Sequence, residues 1–215
     1  MTNQASEQAR SKELGRPRSF SDEDVFAALT QVAQEQGFAG LSLAAIAKRV
    51  GCTGQALNAR FGSRMGLLVA YVDWATARDV ERFQIVRAEQ LSPLETLRAR
   101  FHLPLEGREE ELSSGADHVR IMSLIIESTE FPEFARRIRN RIEVFEHQLA
   151  LLIREGNAAG ELRVGNPEGL AHLIMVATSG GSTLWPAGGQ GSIVEEMARI
   201  IDLLLAPYLV EQGEG

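Results

Sequence analysis

The amino-acid sequence predicts an all-α fold in two parts. Near the N-terminus, three short segments each begin at a helix-capping residue and end at or near a glycine. Farther along, apolar residues recur at helical spacing, and no segment shows the sustained alternation of apolar and polar residues typical of a strand. We therefore expect a flexible arm over residues 1–15, a three-helix domain over residues 16–62 and a helical body over residues 63–215.

The first three helices are defined by the same signals. Ser21, Ser42 and Thr53 can cap them, because their hydroxyl oxygens accept hydrogen bonds from first-turn amides. Gly37 and Gly51 can end the first two helices in a left-handed conformation, and the third is expected to run to about residue 60. Each cap is flanked by an apolar pair that can form a hydrophobic staple. The pairs are Phe20 with Val25, Leu41 with Ile46, and Cys52 with Leu57.

The body is predicted to consist of longer amphipathic helices. Pro132 suits the first position of one of them, where no backbone N–H is needed. The acidic stretch 105–117 is expected to be a loop with a short helix, and residues 186–192 a second loop. The predicted helical segments are 64–89, 92–103, 119–128, 132 to the turn that starts at residue 156, 168–185, and 193–210.

Charge is distributed unevenly between the two parts. The chain has 22 basic and 29 acidic residues, a formal net charge of −7, which argues against a nucleic-acid-binding surface over the whole molecule. Residues 1–68 hold 8 of the basic and 6 of the acidic residues, a net charge of +2, which leaves −9 for residues 69–215. This asymmetry predicts that the two parts have different partners.

Cysteine content and hydropathy exclude several classes of protein. The single cysteine, Cys52, rules out an intrachain disulfide and a multi-cysteine metal site, and its staple position favours a buried apolar role over redox sensing. Glu143 and His147 lie one helical turn apart and are expected to be a surface pair rather than metal ligands. No signal peptide or membrane-length apolar run is visible. We expect a cytoplasmic protein without a metal, a cofactor or a membrane partner.

Residues 42–61 have the pattern of a helix–turn–helix. Two or three residues separate its helices, so that the helices must cross steeply. The outer face of the later helix then presents Gln55, Asn58 and Ala59, whose small or amide side chains can approach base edges in a DNA major groove. Contacts to the DNA backbone, or simple solvation, are the alternatives for Gln55 and Asn58.

Residues 15–72 resemble the N-terminal domain of TetR-type bacterial transcriptional regulators. The resemblance includes a basic arm before the first helix. The other matching features are Gly37–Phe38, Ser42–Leu43, Ile46–Ala47, Gly51, Thr53, Leu57, Phe61, Ser63–Arg64 and Leu67–Leu68. The resemblance implies a homodimer that places its third helices in successive major grooves of a pseudo-palindromic operator. It also implies that the body binds a small-molecule effector, which moves the fourth helix and releases the DNA.

The resemblance further implies individual DNA contacts. Thr53 matches the family's Ser/Thr at the start of the recognition helix, Arg64 matches its Lys at the start of the fourth helix, and Arg60 stands where His is frequent. Asn58 replaces the usual Tyr, so either a phosphate contact is lost or Asn58 reads a base such as adenine. The basic arm could enter the minor groove or remain a solvated tail. The predicted DNA face comprises Arg16, Arg18, Lys48, Thr53, Gly54, Gln55, Asn58, Arg60 and Arg64.

The last two helices are suited to dimerisation. The final helix is apolar on more than one side, and the preceding helix carries small residues that allow close approach of a partner helix. An internal core helix is the alternative. The predicted interface comprises Ala177, Gly181, Met197, Ile200, Ile201, Leu204 and Tyr208.

The effector site is the least defined by the sequence. The acidity of residues 69–215 favours a cationic or neutral apolar effector. Candidate contacts are Trp74, Phe101, His102, His118, Met122 and Trp185, for which ordinary core positions are the alternative. A ligand-responsive repressor is the favoured interpretation. An activator, a regulator without a small-molecule effector, and a protein–protein adaptor with a degenerate head are the alternatives, and no catalytic constellation indicates an enzyme.

Overall fold

A computed structural model describes residues 20–102, 126, 130–188 and 191–210. Within these residues the fold is all-α, as predicted, and an antiparallel bridge joins Leu162 to Leu209. The predicted arm, the loop over residues 105–117 and the helix over 119–128, apart from Ile126, lie outside the described part of the chain. The described helices are α1 (Asp22–Gly40), α2 (Leu43–Val50), α3 (Gly54–Phe61), α4 (Arg64–Ala88), α5 (Pro93–His102), α6 (Pro132–Ala158), α7 (Pro167–Gly188) and α8 (Ile193–Leu205), followed by a 3₁₀ turn (Ala206–Tyr208).

The predicted helix caps are confirmed. The hydroxyl oxygens of Ser21, Ser42 and Thr53 accept hydrogen bonds at 3.1 Å from the amides of Asp24, Ala45 and Ala56. Gly51 ends α2 in the left-handed region at φ +81°. Gly37 also has a positive φ, +64°, but the helix resumes after this kink and α1 extends to residue 40.

Two helices of the body differ from the predicted boundaries, and a proline is present at each difference. α7 continues through residue 186 to Gly188, so that Pro186, which has no backbone N–H to donate, stands in the last turn of the helix and not after its end. The final helix stops at Leu205, not near residue 210. There Pro207 prevents continuation as an α-helix, and the chain forms a 3₁₀ turn instead.

The described residues bury two clusters of apolar side chains, and α4 contributes to both. The head core unites α1, α2 and α3 with Leu67, Leu68 and Val72 of α4, and with Phe134 of α6. The body core unites Phe83 of α4 with side chains from the later helices. These are Leu97, Leu149, Leu152, Ile153, Ile174, Ile201 and Leu205. The division at residue 62 stays a prediction, and the head core extends beyond it.

Candidate nucleic-acid interface and ligand pocket

The helix–turn–helix forms because a sharp turn joins two helices that bury one face each. The amides of Gly51 and Cys52 both donate to the carbonyl of Ala47, at 2.9 and 3.0 Å, which closes the end of α2. Ile46 and Ala47 of α2 and Leu57 of α3 are buried in the head core. With these faces packed inward, the opposite face of α3 lies at the surface.

The outer face of α3 carries the predicted base-reading side chains. Gln55, Asn58 and Ala59 are all exposed. The amide groups of Gln55 and Asn58 make no side-chain hydrogen bond within the described residues, so their donors and acceptors are available to a ligand. On each amide, an N–H donor and the carbonyl acceptor lie side by side, and they match the N7 acceptor and the N6 amino donor on the major-groove edge of adenine.

Three more predicted contacts border this face. The Thr53 hydroxyl accepts a hydrogen bond from α3 and can still donate its own hydrogen to a phosphate. Lys48 is exposed, and its ammonium group forms no ion pair within the described part of the chain. Gly54 lies beside Ala44 of α2, and an added Cβ would be 3.8 Å from the Ala44 Cα, an ordinary contact distance.

Two arginines near this face are held by the protein itself. Arg60 donates from Nε to Asp22, at 2.8 Å, and from Nη1 to the carbonyl of Phe20, at 3.0 Å. Arg49 donates to both carboxylate oxygens of Glu35, at 2.8 and 2.7 Å. Arg64, the first residue of α4, is half-buried. Arg16 and Arg18 lie outside the described residues, and the DNA roles of all these arginines stay predictions.

Ion pairs run along the contact between α4 and α6. The guanidinium of Arg87 forms two hydrogen bonds with the Glu155 carboxylate, at 2.7 and 2.9 Å, and this carboxylate raises the pKa of Arg87. Asp79 pairs with Arg141. Arg137 completes the series by pairing with Asp73 at 3.5 Å. α4, whose first turns belong to the head core, is thereby joined to α6 along its length.

A pocket of about 540 Å³ lies between α6 and α7. Its size falls within the usual range for small-molecule sites. The described lining is largely apolar, and its charged group is the guanidinium of Arg141. The lining residues are Ile138, Arg141, Ile142, Phe145, Met175, Val176, Thr178 and Ser179. The acidity of residues 69–215, which favoured a cationic or neutral apolar effector, therefore does not extend to this described lining, because net surface charge does not determine the charge inside a pocket.

A largely buried arginine, Arg100 of α5, lies next to the pocket. Its guanidinium stacks on Phe145, 4.6 Å from the ring centroid, and also approaches Phe83 at 5.8 Å. Burial lowers the pKa of Arg100 to about 10; attraction to Asp79 opposes this shift, and repulsion by Arg82 and Arg141 adds to it. Arg100 therefore remains charged at neutral pH. No sequence pattern indicates this cluster, because its members come from three separate helices.

The predicted effector residues are dispersed. Trp74 packs in the head core, 5.2 Å from the ring of Phe26, and Phe101 packs edge-on against Phe145 at 6.0 Å, behind the pocket lining. The indole nitrogen of Trp185 is buried without a hydrogen-bond partner among the described residues. The side chain of His102, and all of His118 and Met122, lie outside the described part. The effector role of these six residues stays a prediction.

The predicted dimer residues are divided between the interior of the chain and its surface. Ile201 is buried in the body core, and Leu204 and Tyr208 pack against that core. An added Cβ on Gly181 would lie 2.3 Å from Ile200 and 3.2 Å from Met197, so Gly181 allows α7 and α8 of the same chain to approach closely. Ala177 is half-buried. The interface assigned to these residues stays a prediction.

Large apolar side chains are exposed on the same two helices. Leu173, Val176 and Leu184 of α7 are 48%, 49% and 71% exposed, and Leu203 of α8 is 69% exposed. On α7 they share one face with Gly180, where an added Cβ would meet no atom within 4 Å. Leu173, Val176, Gly180, Leu184 and Leu203 are called the apolar face below.

Cys52 is half-buried against the head core, and burial raises the pKa of its thiol. Glu143 and His147 are both exposed. Among the residues that the structure describes, no group of three or more His, Cys, Asp or Glu side chains could hold a metal ion. None of the described helices combines the length and the hydrophobicity needed to cross a membrane.

Comparison with known proteins finds a family match in the N-terminal part of the chain. Residues 25–71 match the model of bacterial regulatory proteins of the tetR family. No curated protein sequence matches the chain.

Solved structures extend the similarity to the whole fold. A TetR transcription regulator from Haloarcula marismortui has a TM-score of 0.73 at 19% identity, over 88% of this chain and 98% of that one. SmeT, the repressor of the Stenotrophomonas maltophilia multidrug efflux pump SmeDEF, has a TM-score of 0.70 at 20% identity, over 92% and 94%. FadR from Bacillus subtilis in complex with stearoyl-CoA has a TM-score of 0.71 at 18% identity, over 86% and 98%. The chain therefore contains, over residues 25–71, the N-terminal domain of the tetR family of bacterial regulatory proteins, and its fold is that of solved TetR-family regulators.

Proposed function

We propose that the protein is a homodimeric transcriptional repressor that binds a pseudo-palindromic operator and releases it when a small molecule binds. The observation that carries the proposal is the outer face of α3. There Gln55 and Asn58 are exposed, and their amide groups make no side-chain hydrogen bond within the described residues. A capped helix with unengaged amides on its solvent side suits the reading of base edges in a major groove.

The proposed dimer is supported by the apolar face. Four large apolar side chains between 48% and 71% exposed lie on two adjacent helices, around a glycine that leaves room for another helix. Large apolar side chains exposed on one face of a helix, as they are on α7, are typical of an interface. A two-fold dimer formed there would present two copies of α3, and binding successive major grooves requires them to be about 34–36 Å apart.

The proposed ligand response is supported by the pocket and its connection to the head. The pocket between α6 and α7 is of small-molecule size, and Arg141 in its lining is paired with Asp79 of α4. The similar FadR structure contains stearoyl-CoA, and SmeT is a repressor. A ligand can shift α4 only if its affinity differs between the DNA-binding state and the released state.

Selection of random duplex DNA with the purified protein tests the proposal. We expect enrichment of a palindromic site with half-sites one helical turn apart, bound by two chains. Absence of any palindromic enrichment at low salt contradicts the repressor function and favours a protein–protein adaptor. Enrichment of a site with a single half-site contradicts the dimer.

A further inference from the structure

The arginines beside the pocket carry buried N–H groups without a partner. Nε and Nη2 of Arg100, and Nη1 of Arg141, are shielded from solvent and have no hydrogen-bond partner among the described residues. Such groups cost free energy in a folded protein, and more so when they are charged. An arrangement that destabilises the empty protein becomes favourable if a ligand supplies the missing acceptors.

The position of these groups specifies the chemistry of the ligand. Arg141 lines the pocket directly, and Arg100 stacks on Phe145, which also lines it. The rest of the described lining is dominated by aliphatic, aromatic and methionine side chains, and the Thr178 hydroxyl already donates to the carbonyl of Ile174 at 2.8 Å. The pocket thus combines an apolar interior with the guanidinium of Arg141, and the guanidinium of Arg100 lies against one ring of its lining. Guanidinium groups bind carboxylates through paired hydrogen bonds.

We infer that the pocket between α6 and α7 binds an apolar carboxylate, whose head group accepts hydrogen bonds from Arg141 and Arg100. This inference rests on the proposed function, for which it names the class of effector. The ligand is thus an anion, whereas the acidity of residues 69–215 favoured a cationic or neutral apolar effector.

The same geometry relates ligand binding to α4. Arg141 is paired with Asp79, a carboxylate on α4, and a ligand carboxylate competes with Asp79 for the same guanidinium. Removing the charge of Asp79 therefore increases the affinity of the ligand. Asp73 offers a matched control, because it also joins α4 to α6, but through Arg137, which is absent from the described lining.

Calorimetric titration without DNA tests the inference with three probes of equal chain length, each kept below its micelle concentration. Dodecanoate is expected to bind, and dodecanol and dodecyltrimethylammonium to bind at least tenfold more weakly. Equal binding of the three probes, preference for the cation, or no binding of dodecanoate overturns the inference.

Variants assign the binding to the arginines. Arg100→Met is expected to weaken the binding of dodecanoate at least tenfold. The Tm is expected to stay the same or to rise, because an apolar side chain of similar length replaces a buried charge. Arg139→Met replaces an exposed arginine on α6 and is expected to change neither the dodecanoate affinity nor the Tm. Asp79→Asn is expected to strengthen the binding of dodecanoate several-fold, whereas Asp73→Asn is expected to leave that affinity unchanged. Unaltered affinity in both Arg100→Met and Asp79→Asn overturns the assignment.

The two proposals fail in different measurements. Palindromic DNA enrichment without dodecanoate binding overturns the ligand class and leaves the repressor function intact. Dodecanoate binding without palindromic enrichment supports the ligand class and overturns the repressor function.

Discussion

The Nε of Arg60 lies 2.8 Å from Oδ1 of Asp22, so an ion pair joins the last turn of α3 to the first residue of α1. The family resemblance implies a phosphate contact for Arg60, yet within the protein this arginine is already bound by a carboxylate. The pair therefore limits how much of the positive charge of the head is available to DNA.

Asp22→Asn is expected to strengthen DNA binding at low salt. The substitution releases Arg60 to reach a phosphate, so the slope of log affinity against log salt becomes steeper by about one unit. Fluorescence anisotropy across a salt series measures the slope. Asp202→Asn is the control, since Asp202 forms a comparable exposed pair with Arg98, at 2.9 Å, in the body. Equal slopes for the two variants contradict the prediction.

Thr53→Ala is expected to reduce both stability and DNA binding. Loss of the cap costs about 1 kcal/mol of the free energy of unfolding, and the lost hydroxyl also removes a donor to phosphate. Ser192→Ala removes an equivalent cap from α8 and is expected to reduce stability alone. Urea unfolding and DNA titration separate the two effects, and Thr53→Ser should restore both. Equal loss of DNA binding in both alanine variants would refute a phosphate contact.

Gln55→Ala and Lys48→Ala are expected to impair DNA binding in different ways. Loss of a base-reading amide changes which base is preferred at one position in each half-site, whereas loss of an ammonium group weakens all sequences alike. Repeating the DNA selection with each variant measures the difference. Gln84→Ala, which replaces an exposed glutamine of α4, is the control and should change neither the base preference nor the affinity for DNA. A uniform loss from Gln55→Ala would show that Gln55 contacts the backbone instead.

Leu184→Arg and Leu203→Arg are each expected to convert the proposed dimer to a monomer, because each places an unpaired charge within the apolar face. Sedimentation equilibrium measures the change, and DNA binding should fall with it. Ile85→Arg is the matched control, since Ile85 is 65% exposed but lies on α4. If both leucine variants remain dimeric, the apolar face is not the interface.

The thiol of Cys52 is expected to react slowly with a disulfide reagent. Burial raises its pKa, so less of the reactive thiolate is present at a given pH than in the unfolded chain. The rate with an aromatic disulfide, measured between pH 7 and 9 in buffer and in urea, tests this. A faster reaction in the folded protein would indicate a redox-sensitive thiol after all.

Local signals explain which features the sequence predicted. Helix capping by Ser42 and Thr53 affects only the next few residues, and so does the helix end at Gly51. The bounds of α2 and α3 could therefore be predicted almost to the residue. Pro207 is a comparable local signal that the predicted boundary near residue 210 did not use, whereas Pro186, interpreted as the start of a loop, lies inside α7. Such signals depend on backbone chemistry alone and require no knowledge of the tertiary packing.

The pocket could not be predicted in this way. Arg100, Arg141 and Asp79 are far apart in the sequence and meet only because α4, α5 and α6 pack together. For the same reason, Gly180 and Gly181 read alike in the sequence, whereas the structure places one on the apolar face and the other against α8. Helical periodicity shows that a face is apolar, but not which neighbour covers it.

The sharing of α4 between the two cores has a consequence for folding cooperativity. The head core buries Leu67, Leu68 and Val72 of α4, together with Phe134 of α6. Phe83, three turns further along α4, is buried in the body core. The helix–turn–helix therefore cannot unfold without exposing apolar residues of α4, a helix that also packs in the body core. Head and body should gain and lose their structure as one thermodynamic unit. A ligand that stabilises the body should therefore also protect the head from unfolding, even though the ligand is proposed to lower the affinity for DNA.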